Sequence, residues 1–98
     1  MKEIRVLLVE DHFLARMALH SVLSGHSQIR IVGEASDGEE GFMMYKSLQP
    51  DVVVLDLRLP RMSGFELIMR LRQEFPKVHI VVLSRTHFRH VHTFSVQQ

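Results

Sequence analysis

The chain has 98 residues, 46% of them hydrophobic, with 12 Lys and Arg against 11 Asp and Glu and a net charge of +1. This is one small domain with a real core, and interspersed charges in near balance argue neither for a nucleic-acid surface nor for a membrane surface. The absence of cysteine excludes a disulfide framework and a thiolate metal site, no apolar run approaches the ~20 residues that span a bilayer, and Met1-Lys2-Glu3-Ile4-Arg5 carries no signal-peptide pattern, so a cytoplasmic protein with no membrane partner is expected.

Short β-branched runs alternate with helical patterns, which predicts an α/β domain built on a parallel sheet. Ile4 to Val9 is the first strand. A helix follows from about His12 to Ser24, and the spacing of Ala15, Ala18, Leu19 and Val22 predicts one buried stripe. Ile29 to Ala35 is the second strand, with Ile29, Ile31 and Ala35 on one side. Ser36-Asp37-Gly38 is turn or cap chemistry, and the helix after it carries Phe42, Tyr45 and Leu48 and stops before Pro50. Asp51 to Asp56 is apolar on both faces, as a central parallel strand must be. Leu57 to Ser63 is a loop. Gly64 to Glu74 reads as the third helix, its buried positions Gly64, Leu67, Ile68 and Leu71. His79 to Leu83 is a fourth strand.

Polar residues sit at the carboxyl ends of three of these strands: Glu10 and Asp11 after the first, Asp56 at the end of the third, Ser84 after the fourth. Ligands of open α/β sheets bind at such ends, where the strand order reverses. Right-handed crossovers give the order 2-1-3-4, which sets the first and third strands side by side and brings the three carboxylates into one crevice. Carboxylates so close repel unless a cation is present, and hard oxygen ligands suit Mg²⁺. Asp11 and Asp56 are expected to bind it directly, Glu10 through water, and the backbone carbonyl of Arg58 is a further candidate ligand. Asp56, at the base of the crevice, is the candidate nucleophile for an aspartyl phosphate, with Ser84 as a hydrogen-bond donor to a phosphoryl oxygen. Taken singly each residue has a blander reading: Glu10-Asp11 as acids at a helix N-terminus, Asp51 as a strand-start acid, His12 as a rim residue. It is their coincidence at neighbouring strand ends that points to a site.

Val6-Leu7-Leu8-Val9-Glu10-Asp11-His12, the segment from Pro50 through Asp56 to Gly64, and Val81-Val82-Leu83-Ser84 closely resemble the receiver domain of two-component response regulators. Val32-Gly33-Glu34-Ala35-Ser36-Asp37-Gly38 resembles the LuxR-type subfamily. The resemblance covers residues 1–86. It implies a flavodoxin-like receiver fold, an open doubly wound parallel sheet, and phosphoryl transfer to Asp56 from a sensor histidine kinase with Mg²⁺. It also implies control of transcription through a DNA-binding domain that is absent here, so this chain is not expected to bind nucleic acid itself or to be an enzyme beyond its own phosphotransfer.

Receivers of this family carry a fifth strand, ending in a lysine that contacts the phosphoryl group, and a fifth helix. Neither matches residues 87–98, which read as an atypical tail, and the last lysine, Lys77, precedes the fourth strand. The domain is expected to be incomplete, with the fifth strand and helix missing and the fourth strand an open apolar edge that invites a second copy. A homodimer by segment exchange, a domain-swapped dimer, is the expected partner. Val91, Thr93, Phe94 and Val96 have strand-like composition, but too few residues separate them from Ser84 for the dozen or so that a parallel crossover needs, which leaves an antiparallel strand, a helix or an exchanged segment. His87, His90 and His92 match no metal-binding spacing. The competing readings are a pseudo-receiver interaction module that is not efficiently phosphorylated, and a phosphohydrolase, disfavoured because Arg58 stands where a second acid is expected.

Overall fold

The computed structural model of the chain describes residues 2–83 and 91–95. The elements follow in the order β1 (Ile4–Val9), α1 (Phe13–Ser24), β2 (Ile29–Ala35), α2 (Gly38–Leu48), β3 (Val52–Asp56), α3 (Gly64–Glu74), β4 (His79–Leu83) and β5 (Val91–Ser95). They build one sheet in the order β2-β1-β3-β4-β5. The first four strands are parallel, in the expected 2-1-3-4 arrangement.

β3 is buried on both faces because helices lie on both sides of the sheet. Val53 and Leu55 join Leu7, Val9, Ile80 and Val82 beneath α2 and α3. Val54 joins Val6 and Leu8 on the opposite face, with Leu19 and Leu23 of α1. The first cluster is the main core. Its α3 contribution is the predicted set, Leu67, Ile68 and Leu71, and fully burying each such side chain contributes about 1.5–3 kcal/mol. In α2, Phe42 and Tyr45 are buried while Met43 faces outward, and the Arg70 guanidinium packs 4.2 Å over the Phe42 ring. The helix starts are capped by side chains: His12 accepts from the Ala15 amide, Asp37 from Glu40, and Ser63 from Glu66.

Three expectations are corrected. The stripe assigned to α1 is buried only in part. No residue of this helix is fully buried, and Val22 is 66% exposed. Leu19 of that stripe does pack on the sheet, joined by Leu23 from outside it, while Ala18 and Val22 face solvent. Nor does Ala35 share a face with Ile29 and Ile31. The β1–β2 register shifts between Val6 and Leu7, so that Ile31 pairs with Val6 but Gly33 with Leu7. The extra residue, Val32, inverts every later side chain. Ala35 thus enters the main core while Ile29 and Ile31 stay on the α1 face. Finally, β4 is not left as an open edge, and a fifth strand is present. Val91–Ser95 pairs with β4 antiparallel, Val81 opposite Thr93. The connection is too short for a parallel crossover, which leaves antiparallel pairing for this strand. No helix follows β4 among the described residues.

Candidate functional site

Parallel pairing decides which polar residues meet. Val9 registers with Leu55, so Glu10, the next residue after β1, lies beside Asp56, the last residue of β3. Glu10, Asp11 and Asp56 each offer a carboxylate oxygen, and these atoms lie within 4.8 Å of one another. Glu10 and Asp56 are 3% and 2% exposed, whereas Asp11 opens to solvent. The cluster has a buried base and a wet mouth.

The two buried acids, Glu10 and Asp56, are held by neighbouring groups. Glu10 Oε2 accepts from the His12 amide at 2.9 Å, the Glu10 amide donates to the Ala35 carbonyl at 3.0 Å, and Arg16 Nη1 donates to the Glu10 carbonyl at 2.8 Å. Asp56 Oδ1 accepts from the Arg58 amide at 3.0 Å. These bonds aim the oxygens before any ligand arrives, which is how a site avoids a reorganisation cost.

Arg16 was not anticipated. Besides holding Glu10, its Nε lies 3.4 Å from Glu34 Oε1, and Glu34 Oε2 meets His20 Nδ1 at 2.7 Å. No spacing rule links Arg16 to Glu34. They meet because the β2 bulge turns Glu34 toward α1. His12 caps α1 at the rim, as expected. Asp51 accepts from the Arg5 amide at 2.7 Å, at the far end of the sheet, and is structural. Lys77 also lies at that far end, ahead of β4, while Asp56 registers with Leu83 at the end of β4. Ser84 lies outside the described residues, as do His87 and His90.

The loop between β3 and α3 closes tightly. The Gly64 amide donates to the Leu57 carbonyl at 2.9 Å. A Cβ at Gly64 would overlap Leu57 Cα and stand 2.6 Å from the Asp56 carbonyl oxygen, so only glycine allows α3 to begin this close to the acid.

The cluster offers hard, anionic oxygens and no imidazole or thiolate, a donor set that fits Mg²⁺ rather than a transition metal.

A sequence model of the family described as "Response regulator receiver domain" matches residues 6–95. Among curated proteins, the chain is 41% identical over 81 residues to the transcriptional regulatory protein LiaR of Bacillus subtilis, covering 83% of this chain and 38% of that protein. It is 38% identical over 86 residues to protein-glutamate methylesterase/protein-glutamine glutaminase 3 of Geobacter sulfurreducens, covering 88% of this chain and 23% of that one. The chain thus spans well under half the length of these relatives. Among solved structures it is similar to the signal receiver domain of NarL from Mycobacterium tuberculosis, with a TM-score of 0.81 and 33% identity, covering 86% of this chain and 68% of that one.

Proposed function

Since the chain belongs to the response regulator receiver domain family of two-component systems, with LuxR-type relatives, we propose that it accepts a phosphoryl group on Asp56 from the phosphohistidine of a sensor kinase. The observation that carries this reading is the meeting of Glu10, Asp11 and Asp56 within 4.8 Å at the ends of adjacent strands. Asp11, Asp56 and the Arg58 backbone carbonyl would hold Mg²⁺ directly, and Glu10 through water. The ion supplies neutralisation of charge on the transferring phosphoryl group.

The chain's own residues do the rest. The Arg58 amide fixes Asp56 Oδ1 and so orients the carboxylate. A carboxylate oxygen of Asp56 attacks phosphorus, the new O–P bond forms as the P–N bond to the donor imidazole breaks, and the electron pair returns to that nitrogen, which takes up a proton. Ser84 follows Leu83 directly in sequence, and Leu83 registers with Asp56, which supports its assignment as the hydroxyl that contacts a phosphoryl oxygen. His12, Arg16 and the Ala35 carbonyl hold Glu10 in place.

Residues 1–86 carry the receiver and residues 87–98 an atypical tail in this reading, although β5 extends the sheet. The domain acts as a signalling module rather than an enzyme, and its output is transcription through a DNA-binding domain; the similar Bacillus subtilis LiaR is named a transcriptional regulatory protein. Two copies associate, and exchange of β5 between them would reproduce the antiparallel β4–β5 pairing. A monomer by light scattering at high micromolar concentration would refute that part. The second reading, a receiver used for binding without efficient phosphorylation, is favoured by the position of Lys77 at the far end of the sheet. Incubation with acetyl phosphate, with and without Mg²⁺, followed by intact mass, decides. The first reading expects a Mg²⁺-dependent gain of one phosphoryl group that Asp56→Asn abolishes. No gain in the wild type selects the second, and labelling that survives the substitution refutes the assignment of Asp56.

A further inference from the structure

Asp56 is followed by a loop that the domain holds from a distance. Its Met62 side chain is buried, 5% exposed, in the main core, and its backbone rests on the start of α2. A Cβ at Gly38 would overlap the Met62 carbonyl oxygen and stand 2.7 Å from Met62 Cβ and 2.9 Å from its carbonyl carbon. Most of these atoms are backbone, so no rotamer change relieves the overlap. One residue earlier, Arg61 has a φ of 66°. A non-glycine residue stays in that left-handed region only where its surroundings over-determine it.

The second restraint is Asp37. Its Oδ1 accepts from the Glu40 amide at 2.8 Å and caps α2. Its Oδ2 lies 3.6 Å from Arg61 Nε. One carboxylate thus ties the start of α2 to the loop, while Gly38 supplies the surface on which the loop sits. Glu40 in turn reaches back to the Ser36 amide at 2.8 Å, which stiffens the junction. None of these residues belongs to the acid cluster.

We infer that the β2–α2 junction is a seat that positions the acceptor loop, so that Asp37, Gly38, Arg61 and Met62 set how tightly the acid cluster holds a divalent cation and how readily Asp56 reacts. They are positioning residues and not ligands. The chain of effect runs from the Gly38–Met62 contact along the loop to Arg58, whose amide orients Asp56. The inference rests on the metal reading proposed above.

Direct charge effects and positioning predict opposite signs at Arg61, which makes the test decisive. Removing a cation from the loop beside an acid cluster would tighten cation binding by Coulomb attraction alone. Removing a tether of the loop weakens it. Mg²⁺ is titrated by calorimetry into the full chain as wild type, Arg61→Gln and Gly38→Ala. Arg61→Gln is expected to weaken Mg²⁺ by about two- to fivefold, the scale of one exposed ion pair. Gly38→Ala is expected to weaken it about tenfold or more, as loss of outer-shell support does at metal sites. Arg61 is 70% exposed in its side chain, so its replacement leaves the unfolding midpoint in place, and it decides the matter even where Gly38→Ala does not fold. An Arg61→Gln protein that binds Mg²⁺ as tightly as the wild type, or more tightly, overturns the inference alone. A wild type that binds no Mg²⁺ overturns the proposed function and this inference with it.

Discussion

Replacing Asp56 with Asn is expected to stabilise the protein in EDTA and to leave it less stable than the wild type in saturating Mg²⁺. The substitution is nearly isosteric, and an amide oxygen can still accept from the Arg58 amide, which now bonds Oδ1 at 3.0 Å. What disappears is one of three negative charges gathered within 4.8 Å. At that separation, with an effective dielectric constant of about 20, each carboxylate pair repels by about 3 kcal/mol. Solvent at exposed Asp11 and salt screening remove much of this, leaving a net gain of about 1–2 kcal/mol for the metal-free variant. For a domain of this size that gain raises the unfolding midpoint by about 5–10 °C. Mg²⁺ at a hundredfold its dissociation constant stabilises the wild type by about 2.7 kcal/mol, which exceeds the gain of the variant and inverts the order. Thermal unfolding by circular dichroism, in EDTA and across a Mg²⁺ series, gives both numbers. The metal reading fails if Asp56→Asn is the less stable protein in EDTA, or if Mg²⁺ shifts both proteins equally.

Gly64→Ala should cost about 2–4 kcal/mol, because the added methyl overlaps the backbone of Leu57 and crowds the Asp56 carbonyl. Urea unfolding measures it, and a loss below 1 kcal/mol would mean the loop yields easily. Leu67→Ala should cost about 3 kcal/mol, since Leu67 is fully buried between α3 and the sheet, with Mg²⁺ binding preserved in the folded fraction. Burial pushes the Tyr45 phenol above its ordinary value of 10.0. The folded state then favours the neutral phenol, so its contribution is full below pH 10 and is lost as pH rises through the higher folded value. Tyr45 is the single tyrosine and there is no tryptophan, so an ultraviolet titration reports this group alone. A native midpoint at or below 10 contradicts the reading, and Tyr45→Phe should lessen the loss of stability at alkaline pH.

The strand bounds of β1, β2 and β4, the span of α3 and the 2-1-3-4 order were legible in sequence because local pattern and crossover handedness act on short stretches. An apolar run such as Val52 to Leu55 has nowhere to lie but a strand covered on both faces. Gly64, Leu67, Ile68 and Leu71 fall on one helical face whatever surrounds them. For the same reason Glu10, Asp11 and Asp56 could be named as neighbours: once β1 and β3 pair in parallel, their carboxyl ends coincide.

What the tertiary structure alone decided lies where one segment answers to another. Val32 looks like any strand residue, yet its bulge against Val6 and Leu7 sends Ala35 to one face and Glu34 to the other, and so creates the link among Arg16, Glu34 and His20. The apolar positions of α1 do not reveal that its outer flank, Val22 included, is exposed. Asp37-Gly38 reads as a helix cap in sequence, and only the packing of α2 against the loop after Asp56 makes it a seat for Met62. β5 could be a strand by composition, but its antiparallel direction follows from a connection too short to cross over. Periodicity is a property of one segment, whereas register, close approach and partnership are properties of two, and the surroundings of Asp56 depend on the second kind.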